Sequence, residues 1–78
     1  MKMTKNINAK VWEYLELQDT KIAKRILDAL NYDICLFYKE DDNSITIERT
    51  WSGAVIPNYL FNYIVKHNNK IIKFAEGL

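Results

Sequence analysis

Few residues in this 78-residue chain could do covalent chemistry: one cysteine, one histidine and two serines. Nucleophilic catalysis needs a base beside the nucleophile, so the candidates are Cys35, Ser44 and Ser52 with His67 as base. Cys35 falls mid-strand among apolar neighbours, where a cysteine acts as a small inert hydrophobe. His67 reads as a helix-border residue near solvent. No catalytic residue is therefore expected, and the chain is not expected to be an enzyme. The acidic run Glu40-Asp41-Asp42 lacks the twelve-residue ligand spacing, central glycine and closing glutamate of an EF-hand. It reads as a solvated hairpin tip, with an acidic knob for a basic partner as the alternative.

Metal and cofactor chemistry are equally sparse. One histidine and one cysteine cannot supply the four ligands of a closed zinc site, so no metal site is expected. Phosphate-binding loops bring backbone amides close to the ligand through several glycines. This chain has only Gly53 and Gly77, and no cofactor is expected.

Composition narrows the class further. Apolar residues make up 49% and charged residues 27%, a globular balance. Eleven basic residues oppose ten acidic ones, and the net charge of +1 argues against a dedicated polyanion binder. The longest uncharged run, Thr50 to Val65, is interrupted by Ser, Gly, Pro and Asn, so no membrane span is expected. No basic segment leads into an apolar stretch as in a signal peptide. A single cysteine then suggests a reducing, cytoplasmic setting. Lysine (9), isoleucine (10) and asparagine (8) are abundant and arginine (2) is scarce, a bias toward AT-rich codons that suggests a low-GC bacterium or its phage.

The elements that would position these residues follow from periodicity. Residues 1–6 are polar and unpatterned and read as a flexible N-terminus, with a single domain over 7–78. Ile7, Val11, Tyr14 and Leu15 recur at helical spacing, with Asn6 or Asn8 as cap. Asp19 or Thr20 caps a second helix that buries Ile22, Ala23, Ile26, Leu27 and Leu30, and Asn31 ends it in the left-handed region. Period-two alternation then predicts a hairpin with a turn centred on Asp41-Asp42. It pairs Tyr38 with Ile45, Leu36 with Ile47 and Tyr32 with Trp51, and puts that set on the core face. Pro57 opens a final helix over 57–76; a break at Asn68-Asn69 is the alternative, because Asn68 lands on the apolar face. The expected fold is a small α+β domain, ordered helix-helix-hairpin-helix, with the helices packed on one face of a two-stranded antiparallel sheet. Its core would hold Val11, Leu15, Ile22, Ile26, Leu30, Ile34, Leu36, Ile47, Trp51, Leu60, Ile64 and Ile71.

Two surfaces stand out on this frame. Tyr59 and Tyr63 border the apolar face of the final helix beside Lys66, Lys70 and Lys73, which suits a partner-binding face with a charged rim. Phe37 would lie on the solvent face of a hairpin with open edges, which suits a homodimer. The function these features favour is a small non-catalytic binding or regulatory protein, of phage or prophage type, that acts by contact on a larger host factor, for example as an inhibitor. The alternative is a DNA-binding regulator of winged-helix type, with Lys21, Lys24 and Arg25 on the second helix; its acidic hairpin tip opposes that reading.

Overall fold

In a computed structural model, residues 4–77 are described. They form three short strands and four helices: β1 (Lys5–Asn6), α1 (Asn8–Gln18), α2 (Lys21–Leu30), β2 (Cys35–Lys39), β3 (Ile45–Arg49), α3 (Asn58–Lys66) and α4 (Asn68–Ala75). The class is α+β, with an antiparallel sheet of order β1-β2-β3.

Local chemistry explains the helix boundaries. Val11 N–H donates to Ile7 O at the start of α1, and Asn6 Oδ1 accepts Asn8 N–H at 3.0 Å. Asp19 ends α1 at φ +48°, a left-handed position that asparagine and aspartate tolerate better than most residues. Thr20 then caps α2, its Oγ1 accepting Ala23 N–H at 3.2 Å. Asn31 remains right-handed at φ −60°, and Asp33, at φ +52°, takes the left-handed role expected of it.

The hairpin forms in a register one residue away from the expected one. Lys39 pairs with Ile45, Phe37 with Ile47 and Cys35 with Arg49. The cause is the turn. A two-residue loop at Asp41-Asp42 would need φ above zero at Asp41, and in a type I′ turn at Asp42 as well; neither aspartate adopts it. Instead Glu40 O accepts Asn43 N–H at 3.1 Å, Asn43 adopts φ +63°, and Glu40 N–H donates to Ser44 O at 2.9 Å. This three-residue loop places one more residue in the connection and turns Cys35 and Phe37 inward. Phe37 is fully buried and Cys35 nearly so, while Trp51 and Tyr32 face solvent. Phe37 is thus a core residue and offers no dimer surface.

Two further differences enlarge the fold. Lys5 and Asn6 leave the expected N-terminal tail to form β1, opposite Lys39 and Tyr38. The final helix divides at His67, whose ψ of +12° ends α3 and starts α4. Asn68, the polar residue on the expected apolar face, donates from Nδ2 to Asn43 O at 2.8 Å and ties the break to the hairpin tip. The core runs through Val11, Leu15, Ile26, Phe37, Leu60, Ile64 and Ile71, joined by Ile7, Tyr14, Ala23, Ala54, Tyr63 and Ile72. Of the expected core, Val11, Leu15, Ile26, Leu30, Ile34, Leu60, Ile64 and Ile71 are buried. Leu36 and Ile47 are half-buried, and Ile22 and Trp51 are exposed.

Candidate functional site

The apolar residues that the core leaves behind collect at one place. Once β3 ends, Thr50 N–H still donates to Ile34 O at 3.1 Å, and its hydroxyl donates to Asp33 O. The chain then turns through Trp51-Ser52-Gly53, closed by Ala54 N–H donating to Trp51 O at 3.0 Å. The Trp51 indole folds back over Gly53. A methyl group on Gly53 would lie 2.6 Å from Trp51 Cζ3, so glycine is what permits the close approach.

This turn forms one wall of a groove of about 580 Å³. Its lining includes Tyr32 and Ile34 from the α2–β2 connection, Trp51, Gly53, Val55 and Pro57 from the β3–α3 connection, and Tyr59 from α3. Arg25, Asp28 and Ala29 of α2 complete it. Three of these apolar side chains stay largely in water: Val55 is 79% exposed, Tyr32 78% and Trp51 55%. Tyr59 is held in place from α2, with the Arg25 guanidinium 4.2 Å above its ring centroid. The groove is therefore aromatic and apolar, with one cation and one carboxylate beside it.

The residues expected to bind a partner are only partly brought together. Tyr59, Tyr63 and Lys66 line a second cavity of about 320 Å³ with Ile22, Asn62 and His67. Tyr63 contributes little surface because it is buried, stacked on the His67 ring at 4.1 Å between centroids. Lys66 is exposed at the end of α3. Lys70 and Lys73 are exposed on α4, outside this cavity, because the break at His67 gives that helix its own axis. Tyr59 is the residue shared by both cavities.

The potential nucleophile and base occupy unreactive surroundings. Burial pushes the Cys35 thiol up to about 11, so it stays protonated near neutrality. His67 lies between Tyr14 and Tyr63, with Nδ1 3.3 Å from the Tyr14 hydroxyl. Burial lowers its pKa, and Lys70 and Lys66 add like-charge repulsion in the same direction. Among the described residues, no group of three or more His, Cys, Asp or Glu is placed to hold a metal ion. No helix among them is long and apolar enough to cross a membrane.

Sequence reading missed the groove because two stretches distant in sequence, residues 25–34 and 51–59, meet only in the fold. The one local signal was the Trp51-Ser52-Gly53 turn, which the slipped register absorbed into the sheet. In comparisons with known proteins, no family model, no curated sequence and no solved structure matches the chain.

Proposed function

We propose that this chain is a non-catalytic binding protein that regulates a larger protein by occupying part of its surface through the Tyr32–Trp51–Val55–Tyr59 groove. The observation that supports this reading is the joint exposure of Trp51, Val55 and Tyr32 around a single apolar cavity. Large aromatic side chains in a concave apolar setting, beside an arginine, are what binding hot spots are made of. Tyr59 carries the surface onward to the Tyr63/Lys66 cavity, while Lys70 and Lys73 are exposed on α4.

The composition extends the proposal to a phage- or prophage-encoded inhibitor of a host factor, working in the cytoplasm. The DNA-binding reading draws less support. Of the α2 cations, Lys24 pairs with Asp19 at 3.1 Å and Arg25 covers Tyr59, so two of three already have partners within the chain.

The test is capture from host lysate, with and without nuclease treatment, on immobilised wild-type protein and on the Trp51→Ala/Val55→Asp double variant. A protein retained by wild type and lost from the folded variant supports the reading. Equal retention on both overturns the assignment to this groove. Retention that disappears with nuclease treatment transfers the proposal to nucleic acid.

A further inference from the structure

A neighbouring surface, the outer edge of β3, whose cavity shares Val55 with the groove, points to a second copy of this chain. β3 is the last strand of the sheet, and two bonds fix which of its backbone groups point outward. Glu40 N–H donates to Ser44 O and Thr50 N–H donates to Ile34 O. The inward groups alternate along an antiparallel strand, so Thr46 and Glu48 bond toward β2. Ile45, Ile47 and Arg49 direct their N–H and C=O groups away from it. No backbone or side-chain partner meets these groups among the described residues. Below this edge is a cavity of about 460 Å³, lined by Ile47, Arg49, Ala54, Val55, Ile56 and Phe61. Phe61 is 40% exposed there.

We infer that two copies pair β3 against β3 about a two-fold axis at Ile47, forming one continuous six-stranded antiparallel sheet. The alternation of the outward groups permits only odd-numbered residues to face odd-numbered ones. Among those registers, like-charge repulsion and the length of strand paired select one. Centring on Ile47 sets Glu48 opposite Thr46 and Arg49 opposite Ile45. Centring on Glu48 would set two glutamates face to face, which is unfavourable. Centring on Thr46 would leave Arg49 beyond the paired region. In the chosen register the Arg49 end of each β3 runs toward the Asp41-Asp42 turn of the other copy, a complementarity that the two-fold repeats. Arg49 is already placed at that end by its Nη1–H bond to Ser52 O at 3.2 Å. The two Ile47 side chains meet on the core-facing side, above the two cavities, and screen Phe61 from water.

Sedimentation of the full chain at tens of micromolar tests this. The expected species is a dimer. Ile47→Pro removes an N–H that serves only the outer edge, so no β2–β3 bond is broken and the dimer is lost. Ile47→Lys brings two ammonium groups together at the axis and raises the dimer dissociation constant by about 100-fold or more. Arg49→Asp, at an exposed side chain, weakens the dimer without touching the core. Trp51→Ala leaves the dimer intact, which separates this edge from the partner groove. A wild-type monomer overturns the inference, as does a dimer that persists in folded Ile47→Lys and Arg49→Asp.

Discussion

The Asn8 side chain takes the place of a missing strand residue: its Oδ1 accepts Phe37 N–H at 2.6 Å, beside the Ile7 N–H to Phe37 O bond at 2.9 Å. β1 is only two residues long, and the first residue of α1 completes the pairing that it leaves unfinished. Removing the acceptor strands a backbone donor next to the most deeply buried aromatic ring. Asn8→Ala is expected to cost about 1–2 kcal/mol in urea unfolding. Asn8→Asp keeps an acceptor at the same place and adds a favourable charge to the first turn of α1. It should recover most of the loss, whereas equal destabilisation by both variants would show that the bond contributes little.

Phe37 and Trp51 give opposite expectations in the two hairpin registers. In this structure Phe37 is 0% exposed and Trp51 is 55% exposed. Phe37→Ala opens a cavity in the centre of a small core and is expected to cost about 3–5 kcal/mol, enough to leave much of the protein unfolded. Trp51→Ala changes a groove wall and should cost under about 1 kcal/mol. Paired denaturant titrations decide between them; a costly Trp51 with a cheap Phe37 would restore the register with Tyr38 opposite Ile45.

The elements were legible where a single local interaction creates them. Thr20 caps α2 as its type and position predict, and the change from helical to alternating periodicity marks the hairpin. The faces of that hairpin were not legible from alternation alone, because both sets contain large rings: Tyr32 and Tyr38 on one side, Phe37 on the other. The loop length decides between them, and the informative residue was Asn43, which enters the left-handed region readily. The helix break had a visible trace in Asn68, but its bond to Asn43 O joins residues 25 positions apart. The groove required tertiary structure outright, since Arg25, Tyr32, Trp51 and Tyr59 approach one another only after α2 and α3 have packed.

Gly53 controls the shape of the groove without contributing a side chain. A Cβ there would meet the indole at 2.6 Å, and the ring is exposed on its other side, so it can swing away. Gly53→Ala should therefore displace Trp51 while leaving the core intact. The two tryptophans report on this separately by NMR: the Trp51 indole N–H resonance shifts and the Trp12 resonance stays. Partner binding through the groove should weaken in parallel. An unchanged Trp51 resonance would mean that the indole does not rest on Gly53.

His67 makes stability depend on pH at the junction of α3 and α4. Its ring is stacked on Tyr63 and lies 3.3 Å from the Tyr14 hydroxyl, which donates to Nδ1 when the ring is neutral with its proton on Nε2. Burial first, then Lys70 and Lys66, lower its pKa in the folded protein below the ordinary value of 6.5. Between the folded and unfolded values the unfolded chain binds more protons, so stability rises with pH in that window. The contribution is complete above the unfolded value of about 6.5 and is lost as pH falls toward the folded pKa. His67→Gln should flatten the stability profile between about pH 7 and 5, before carboxylate titration dominates. Tyr14→Phe removes the donor that favours the neutral ring and should raise the His67 pKa in an NMR titration. A fall in that pKa would mean that the tyrosine hydroxyl is the acceptor of a proton on Nδ1 instead.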